Sequence, residues 1–321
     1  MINKFARHCL TLLSFFFYNK NNLRYLKNRH KIITTKLKIE LKKFKLRKQS
    51  KLLTHKIFSK FVYDLILENK TINFLRNPNI QNIFFIHNRL FILNELRELQ
   101  KDKKKWLLWK KLLVENDVGN PIRYFLYPQS SGNRIRQVYH LKKYYDYSKI
   151  DLFKVKHVLE IGGGYGCMAQ IFKKINKNCT YVIYDTAEVN LLQYYYLQMN
   201  KIKVVMNKIV DGKVCLINEL DLIDKFNDII KQNIYSLLIA NWSISEFPIN
   251  LRNKIINKTK KFVNLIISFQ EKFENINNKV YFLNYQKKIE KKVFTKLEKL
   301  KYYKKSFFNK NNHFYFFTKN K

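Results

Sequence analysis

Val158-Leu-Glu-Ile-Gly-Gly-Gly-Tyr-Gly166 sets the architecture of this 321-residue chain. Its apolar start predicts a strand that ends at Ile161, and a helical pattern follows over Met168–Ile175. Four of the seven glycines in the whole chain lie in the turn between them. A turn without Cβ atoms lets the backbone approach a ligand closely, and the amide groups at the start of a helix favour anionic groups. The stretch therefore predicts a strand, a ligand-binding turn and a helix.

Strand and helix patterns alternate along the chain from Asp151 onward. The predicted strands are short apolar or β-branched runs at His157–Ile161, Tyr181–Tyr184, Lys203–Met206, Tyr235–Ala240 and Phe262–Phe269. Alternation of this kind is typical of a parallel sheet whose right-handed crossovers place helices on both faces.

The end of the chain departs from this alternation. A predicted helix near Gln286–Leu297 is followed by the aromatic runs Lys301–Phe308 and His313–Thr318, and the residues between the two runs, Asn309-Lys-Asn-Asn312, are a hairpin signal. The predicted fold class is therefore α/β, with a Rossmann-like, doubly wound, mostly parallel seven-stranded sheet that finishes with a C-terminal antiparallel hairpin and is preceded by an α-helical N-terminal region.

The N-terminal part of the chain has a helical pattern instead. From Lys31 to about Glu115, apolar residues recur at the spacing of one helical face. Turn signals then cluster between Gly119 and Asn133. We therefore predict a helical N-terminal region with substrate-side loops over residues 1–150, and a second domain over residues 151–321.

The chain is strongly basic, with 63 Lys and Arg against 23 Asp and Glu and a formal net charge of +40. Such a charge suggests nucleic acid or another anionic surface as a partner. The basic residues are spread over nearly every segment, however, and the chain is also crowded with Asn, Ile, Phe and Tyr, a bias expected from AT-rich codons. The pattern favours a compositional origin and leaves a nucleic-acid partner as the alternative.

The four cysteines, Cys9, Cys167, Cys179 and Cys215, show neither a CxxC pair nor the spacing of metal ligands. This predicts neither a metal site nor a disulfide framework, and it fits a reduced, cytoplasmic compartment. The apolar run Cys9–Phe17 is about half the ~20 residues that a bilayer requires. It predicts a buried helix, and a peripheral membrane contact stays open as the alternative.

The details of the glycine turn indicate which ligand it suits. A dinucleotide fingerprint needs a glycine three residues after Gly164, where this chain has Cys167. The frame that fits is E-x-G-x-G-x-G, with Glu160 ahead of Gly162, Gly164 and Gly166. An acid so close would repel a pyrophosphate but can pair with the ammonium group of an amino-acid ligand. The pattern therefore indicates S-adenosylmethionine.

A second acid supports a nucleoside ligand. Asp185 follows the predicted strand Tyr181–Tyr184, the position from which a carboxylate can accept both ribose hydroxyls. The structural alternative is a helix N-cap that forms a capping box with Glu188. With Asn241 at the end of the fourth strand, the predicted cofactor-binding residues are Glu160, Gly162, Gly163, Gly164, Gly166, Asp185 and Asn241.

The stretch from Val158 to Gly166, taken with Asp185, resembles the class I S-adenosylmethionine-dependent methyltransferases, whose sheet closes with a terminal hairpin. A longer set of strings is similar to a family of sugar O-methyltransferases found beside bacterial surface-polysaccharide genes: Gly119-Asn-Pro121, Asn133 to Tyr139-His140-Leu141, the glycine turn, Tyr184-Asp185 and Asn241-Trp-Ser-Ile-Ser-Glu-Phe-Pro248. The chain departs from that family at Thr186-Ala187, where Leu-Pro is usual, and at Phe247, where Met is usual.

The residues at the end of the fourth strand narrow the range of methyl acceptors. Asn241-Trp242-Ser243-Ile244 stands where base-amino methyltransferases have N-P-P-[YF], and the chain has no Pro-Cys pair of the cytosine type. Catechol-type enzymes hold magnesium with acids at the ends of the fourth and fifth strands, whereas this chain has Ala240-Asn241 and Gln270-Glu271 there. The remaining reaction is metal-free methyl transfer to an alcohol oxygen. Glu271 is the one acid at these strand ends that could hold a metal, so a metal-dependent mechanism stays open as an alternative.

A weakly acidic sugar hydroxyl needs a positioned base as the new bond forms. The candidates are His140, which has the right titration range and lies before the glycine turn, and Glu246, which follows the fourth strand. Each also has a structural interpretation. His140 could be a buried histidine bonded to backbone, and Glu246 could form a capping box with Ser243.

We therefore expect an S-adenosylmethionine-dependent O-methyltransferase that acts on a saccharide or glycan hydroxyl in surface-polysaccharide biosynthesis. The alternatives are an RNA methyltransferase that uses the basic surface and a non-catalytic nucleoside-binding module. One continuous basic face leading to the glycine turn would favour RNA, whereas an even scatter of Lys and Arg would favour the sugar.

Overall fold

The computed structural model describes residues 21–43, 53–68, 70–84, 91–230, 233–300 and 312–321. The chain forms two compact units, each made of three segments. The first unit comprises Met1–Tyr139, Gly164–Gln170 and Thr186–Val204, and the second comprises His140–Gly163, Ile171–Asp185 and Val205–Lys321. Both units draw residues from either side of position 150, and the predicted domain boundary there stays a prediction.

The elements are numbered in chain order. The helices are α1 (Asn21–Lys43), α2 (Leu53–Leu67), α3 (Pro78–Ile83), α4 (Phe91–Lys101), α5 (Trp106–Leu113), α6 (Gly132–Ser148), α7 (Cys167–Ile175), α8 (Ala187–Met199), α9 (Asp221–Ile229), α10 (Ile249–Lys258) and α11 (Asn278–Ile289). The strands are β1 (Arg123–Tyr124), β2 (Tyr127–Ser131), β3 (His157–Ile161), β4 (Thr180–Tyr184), β5 (Val204–Met206), β6 (Val214–Ile217), β7 (Ser236–Asn241), β8 (Asn264–Gln270), β9 (Lys272–Phe273), β10 (Ile276–Asn277), β11 (Val293–Lys299) and β12 (His313–Asn320). One-turn 3-10 helices include Ile244–Glu246.

The large sheet has the strand order β11-β12-β8-β7-β3-β4-β6-β5. Strand β3 pairs in parallel with β4 on one side and with β7 on the other. The pairs β4 with β6 and β7 with β8 are also parallel, whereas β12 runs antiparallel to both β8 and β11. The predicted α/β class, the mostly parallel sheet and the antiparallel end are confirmed. The sheet has eight strands instead of seven, because β5 adds a short strand at its edge.

One strand of the sheet was not predicted, and the bounds of one predicted helix are wrong. The prediction missed β6, which takes the third parallel position beside β4, whereas the predicted strand at Lys203–Met206 is only the edge strand β5. The predicted helix over Gln286–Leu297 is also wrong, since α11 ends at Ile289 and β11 begins at Val293. Pairing with β12 overrides the helical propensity of this Lys-rich segment. The aromatic run Lys301–Phe308 lies outside the described residues.

Helices cover both faces of the sheet within the second unit. On one face, apolar residues of β3, β4, β6, β7, β8 and β12 pack with those of α9, α10 and α11 in a single buried cluster. On the other face, Tyr144 and Tyr147 of α6 pack on Phe317 of β12, and Phe172 of α7 packs on Tyr181 of β4. The sheet is therefore doubly wound, and its strands β3, β4 and β7 end at a common edge that follows their carboxyl termini.

The helical part of the first unit has its own apolar centre. The ring of Phe74 lies edge-on to the rings of Tyr165, Tyr195 and Tyr196, with ring centroids 5.9, 6.2 and 6.2 Å away. Among the residues that the structure describes, no helix is both long enough and apolar enough to cross a membrane. Within the same ranges, no three His, Cys, Asp or Glu side chains come together as metal ligands.

Candidate cofactor and acceptor site

The first two glycines of the turn pack directly on the edge of the sheet. Gly162 has a φ of +70° and donates its N–H to the carbonyl oxygen of Tyr184 at 2.9 Å. A Cβ on Gly162 would lie 2.3 Å from the Cβ of Ser243. A Cβ on Gly163 would lie 2.6 Å from Ile183 Cγ2 and 3.1 Å from Glu160 Oε2. Only glycine fits at either position, because close neighbours exclude a side chain at both and the left-handed backbone also disfavours one at Gly162.

The rest of the turn belongs to the first unit. Gly164 and Gly166 have φ values of +55° and +95°. The side chain of Gln193 donates to the carbonyl oxygen of Gly164 at 3.0 Å, and a Cβ on Gly166 would lie 3.3 Å from Leu197 Cγ. Phe84 covers Gly164, with its Cδ1 3.3 Å from the position of a Cβ. Both glycines therefore adopt a conformation that residues with side chains rarely adopt.

Glu160 lies at the carboxyl end of β3 with only 4% of its surface exposed. The hydroxyl of Tyr181 donates to Glu160 Oε2 at 2.7 Å. Burial raises the pKa of Glu160 to about 8, and the nearby charge of Asp185 raises it further, whereas the Tyr181 hydrogen bond lowers it. A buried carboxyl group that is reluctant to ionise would ionise readily if a cation came to lie beside it.

Asp185 follows β4, one strand away from Glu160, and is partly exposed. Its backbone N–H donates to the carbonyl oxygen of Ile217 at 3.0 Å, which ties it to the edge of the sheet. The N-cap of α8 is Thr186, so the interpretation of Asp185 and Glu188 as a capping box is wrong. The structure brings Glu160 and Asp185 near each other at the same edge.

Asn241 ends β7 at this edge. Its Oδ1 accepts a hydrogen bond from Ser268 Oγ at 2.9 Å. Its Nδ2 is buried and has no hydrogen-bond partner among the described residues. An amide donor that is buried without a partner costs free energy, so Asn241 offers a hydrogen bond that a ligand could accept.

Trp242 turns the chain sharply after β7. Its φ of +67° is unusual for a residue with a side chain, and its N–H donates to the carbonyl oxygen of Ser268 at 2.8 Å. The indole ring lies edge-on to His313 of β12, with the ring centroids 4.8 Å apart. Backbone in this region costs free energy and is concentrated at functional sites. The turn therefore places the Trp242 ring against β12, one residue after Asn241 in the chain.

Glu246 lies in the 3-10 turn that follows. Its Oε1 accepts a hydrogen bond from Gln270 Nε2 at 3.2 Å. Burial raises the pKa of Glu246 to about 7, although the Gln270 hydrogen bond lowers it. The hydroxyl of Ser243 makes no cap hydrogen bond and donates instead to the carbonyl oxygen of Ile161, so the capping-box interpretation of Ser243 and Glu246 is wrong.

His140 is fully buried in α6. Its Nδ1 lies 2.6 Å from the hydroxyl oxygen of Tyr315, which is paired across the sheet with Ser268 and so lies in the same row as Asn241. His140 thus packs behind the row of polar side chains that ends at Asn241. Its role as a base stays a prediction. The contact that the structure shows is with the Tyr315 hydroxyl.

The sequence interpretation missed three side chains that shape this edge. Tyr181 holds Glu160, Ser268 holds Asn241, and Gln270 holds Glu246. Each lies on a strand as an ordinary inward-facing residue, and only the register of the sheet brings it beside its partner. The one available signal was position, since Ser268 and Gln270 are polar residues at the carboxyl end of a strand whose middle, Leu265–Ile267, is apolar.

For the S-adenosylmethionine that the sequence predicts as ligand, we expect Asp185→Ala to weaken binding about 10–100-fold, because a carboxylate that accepts hydrogen bonds contributes roughly 1.5–3 kcal/mol. Calorimetric titration measures the dissociation constant. Asp228→Ala is the matched control, because the Asp228 side chain is 81% exposed in α9 and should leave the affinity unchanged. Equal affinity in wild type and Asp185→Ala would remove Asp185 from the binding site.

Neither a family model nor a curated protein sequence matches the chain. Solved structures that resemble part of it include a Thermoplasma acidophilum protein, with 11% identity and a TM-score of 0.38 over 58% of this chain and 89% of that one. An O-methyltransferase family protein from Burkholderia thailandensis has 10% identity and a TM-score of 0.35 over 58% and 60%. The O-methyltransferase from Bacillus cereus in complex with SAH has 8% identity and a TM-score of 0.35 over 52% and 76%. Likenesses this distant do not carry a ligand or an activity over to this chain.

Proposed function

We propose that the chain binds S-adenosylmethionine at the carboxyl ends of β3 and β4 and transfers its methyl group to a hydroxyl oxygen. The observation that carries the proposal is the carboxyl group of Glu160, buried beside Gly163 and held by Tyr181. Ionising such a group in isolation is costly. The ammonium group of a methionine moiety would offset that cost.

The neighbouring residues fit the rest of the cofactor. Asp185 would accept hydrogen bonds from the ribose hydroxyls at the end of β4. Gly162 and Gly163 leave the backbone of the turn without side chains, and Gly164 and Gly166 continue the turn along the chain. The buried Nδ2 of Asn241 would donate to a ligand atom at the end of β7. The resemblance to class I methyltransferases implies the same roles for these positions.

When bound, S-adenosylmethionine supplies an electrophilic methyl group. The chain must hold the acceptor hydroxyl in line with that group and take up its proton. We propose Glu246 as the base, since its pKa of about 7 lets it accept a proton near neutral pH. His140 is buried behind Tyr315, so we assign it a supporting role in the same row of side chains.

We propose a saccharide as the acceptor, within surface-glycan biosynthesis. The ring of Trp242 packs on His313, which is paired across the sheet with Gln270. Gln270 in turn bonds to Glu246. A sugar needs both an apolar face and hydrogen-bonding partners, and this segment supplies residues of both kinds. The strings that resemble the sugar O-methyltransferase family run through the same segment, from Asn241 to Pro248.

The test is a binding titration followed by a transfer screen. We expect calorimetry to detect binding of S-adenosylmethionine and no binding of NAD. We then expect methyl transfer to members of a panel of nucleotide sugars and glycans, and none to total RNA. Tight NAD binding without S-adenosylmethionine binding would overturn the cofactor. Transfer to RNA alone would overturn the acceptor, and binding without any transfer would favour a nucleoside-binding module.

A further inference from the structure

Gln270 ends β8, and both ends of its side-chain amide make hydrogen bonds. Its Nε2 donates to Glu246 Oε1, and its Oε1 accepts from Ser245 Oγ, each at 3.2 Å. Ser245 is fully buried, and Gln270 is nearly so. An ionised carboxylate only accepts hydrogen bonds, so the amide nitrogen faces Glu246 and the amide oxygen faces the Ser245 hydroxyl, which can donate to it. The nitrogen of Gln270 is thereby directed at Glu246.

Arg252 holds the turn that carries Glu246 through its backbone. The Arg252 Nη2 donates to the carbonyl oxygens of Ser245 and Phe247, at 2.7 and 3.2 Å. These are the two residues that flank Glu246. The guanidinium group lies 4.6 Å from the ring centroid of Tyr281, which fixes it in turn. The backbone of Glu246 and its carboxylate are therefore held by separate groups.

The hydrogen bond from Gln270 acts on the charge state of Glu246. A donor that points at a carboxylate stabilises the ionised form, and here it counteracts burial, which raises the pKa. Only Gln270 makes a hydrogen bond to the Glu246 carboxylate among those that the described residues show. The other charged or titratable groups around this corner are Arg252 on α10, Lys279 and Tyr281 on α11, His313 opposite Gln270 on β12, and Glu271 after β8.

We infer that Gln270 is a positioning residue, which keeps the Glu246 carboxylate ionised and oriented to accept the proton of the acceptor hydroxyl. This inference rests on the proposed function, because it assigns Gln270 a part in that reaction. The role of Gln270 is indirect, because it affects the reaction only through its hydrogen bond to Glu246. Ser245 in turn orients Gln270 through the hydrogen bond to its amide oxygen.

The experiment compares the pH dependence of kcat in wild type, Gln270→Glu and Gln270→Met. Gln270→Glu keeps the shape but replaces the donor by an oxygen, so two carboxyl groups must share a proton. Such a pair loses its two protons in separate steps, one lower and one higher than the pKa of Glu246 alone. We expect the second step of the pH profile to lie about one unit or more above the wild-type limb, with kcat reaching its full value above about pH 9. Gln270→Met removes the hydrogen bonds to Glu246 and Ser245 without adding a charge, and we expect a smaller upward shift with an unchanged KM. Gln286→Glu in α11 is the matched control and should behave as wild type.

A second measurement needs no substrate. The midpoint of thermal unfolding is measured against pH for each protein with and without the additional substitution Glu246→Gln. The difference between the two curves of a pair reports the titration of Glu246. An upward shift of that titration in Gln270→Glu, together with the shifted rate profile, supports the inference. Identical profiles in an active wild type and Gln270→Glu would overturn the role of Gln270 and leave the proposed function standing. Wild-type protein without transfer activity, but with the shifted titration, would overturn the proposed function and, with it, the catalytic role of Gln270.

Discussion

Glu160→Gln is expected to weaken binding of S-adenosylmethionine strongly and to make the protein more stable at alkaline pH. The pKa of Glu160 is about 8 in the folded protein against an ordinary value of 4.5. The folded state therefore keeps a proton that the unfolded chain loses above pH 4.5. The contribution of this group to stability is greatest below pH 4.5 and falls as the pH rises to about 8.

The size of the effect follows from the same difference. At about pH 9 the buried carboxylate costs roughly 3–5 kcal/mol of unfolding free energy, and a neutral amide at this position would not incur that cost, so the Glu160→Gln protein should unfold at a higher temperature. At about pH 4 the two proteins should differ little. Loss of the charged partner of an ammonium group should weaken S-adenosylmethionine binding by about 100-fold or more.

Thermal unfolding between about pH 4 and 9 and calorimetric titration at about pH 8 measure the two effects. Glu290→Gln is the control, because Glu290 is exposed at the end of α11. In wild type, binding should release close to one proton from Glu160 near about pH 7 and almost none at about pH 9, since the ligand favours the ionised carboxylate. Unchanged affinity in Glu160→Gln would show that no cation pairs with this carboxyl group.

Glu246→Gln is expected to lower kcat by about 100-fold or more, because general-base catalysis contributes roughly 10²–10⁴ in rate. The pKa of Glu246 is about 7, so wild-type kcat should rise with pH through that value and level off once the carboxylate is ionised. The Glu246→Gln protein should lose this limb and keep its affinity for S-adenosylmethionine. Initial rates from about pH 5.5 to 9, with the acceptor found in the screen, measure the change.

His140→Gln provides the comparison for this prediction. Since His140 is buried against Tyr315, we expect its substitution to change stability and KM, and to leave the pH at which kcat rises almost unchanged. If the rise of kcat with pH persisted in Glu246→Gln and disappeared in His140→Gln, His140 would be the base and Glu246 the supporting residue. Unchanged turnover in both variants would remove both residues from the chemistry.

The glycine turn and the sheet could be predicted because their signals are local. Gly162 and Gly164 stand out in a chain with few glycines, and the runs around Ile161 and Tyr184 have the length and composition of buried strands. The strand β6 was missed because four buried residues after a turn, Val214–Ile217, have no periodicity of their own. The strand β11 was missed because its Lys and Glu residues favour a helix, and its pairing with β12 decides otherwise.

The positions of the acids at the edge of the sheet could be predicted from the sequence, but their hydrogen-bond partners could not. Ser243 and Asp185 each fit a capping box by spacing, and in the structure neither forms one, because Ser243 bonds to β3 and Thr186 takes the N-cap. The hydrogen bond from Gln270 to Glu246 joins residues 24 positions apart on different elements. No spacing rule predicts such a contact, since the register of β8 against β7 creates it.

The position of β3 between β4 and β7 has a consequence for the order in which the protein acquires its structure. β4 follows β3 after a single helix, whereas β7 can pair with β3 only after the chain has run from Ile161 to Ser236. Closing so long a loop before any contact compensates for it makes this pairing slow. Glu160 lies on β3 and Asn241 on β7, so we expect the edge that carries both to form after β3 has paired with β4. A chain that has stalled partway through folding would hold its first strands and still have no complete ligand site.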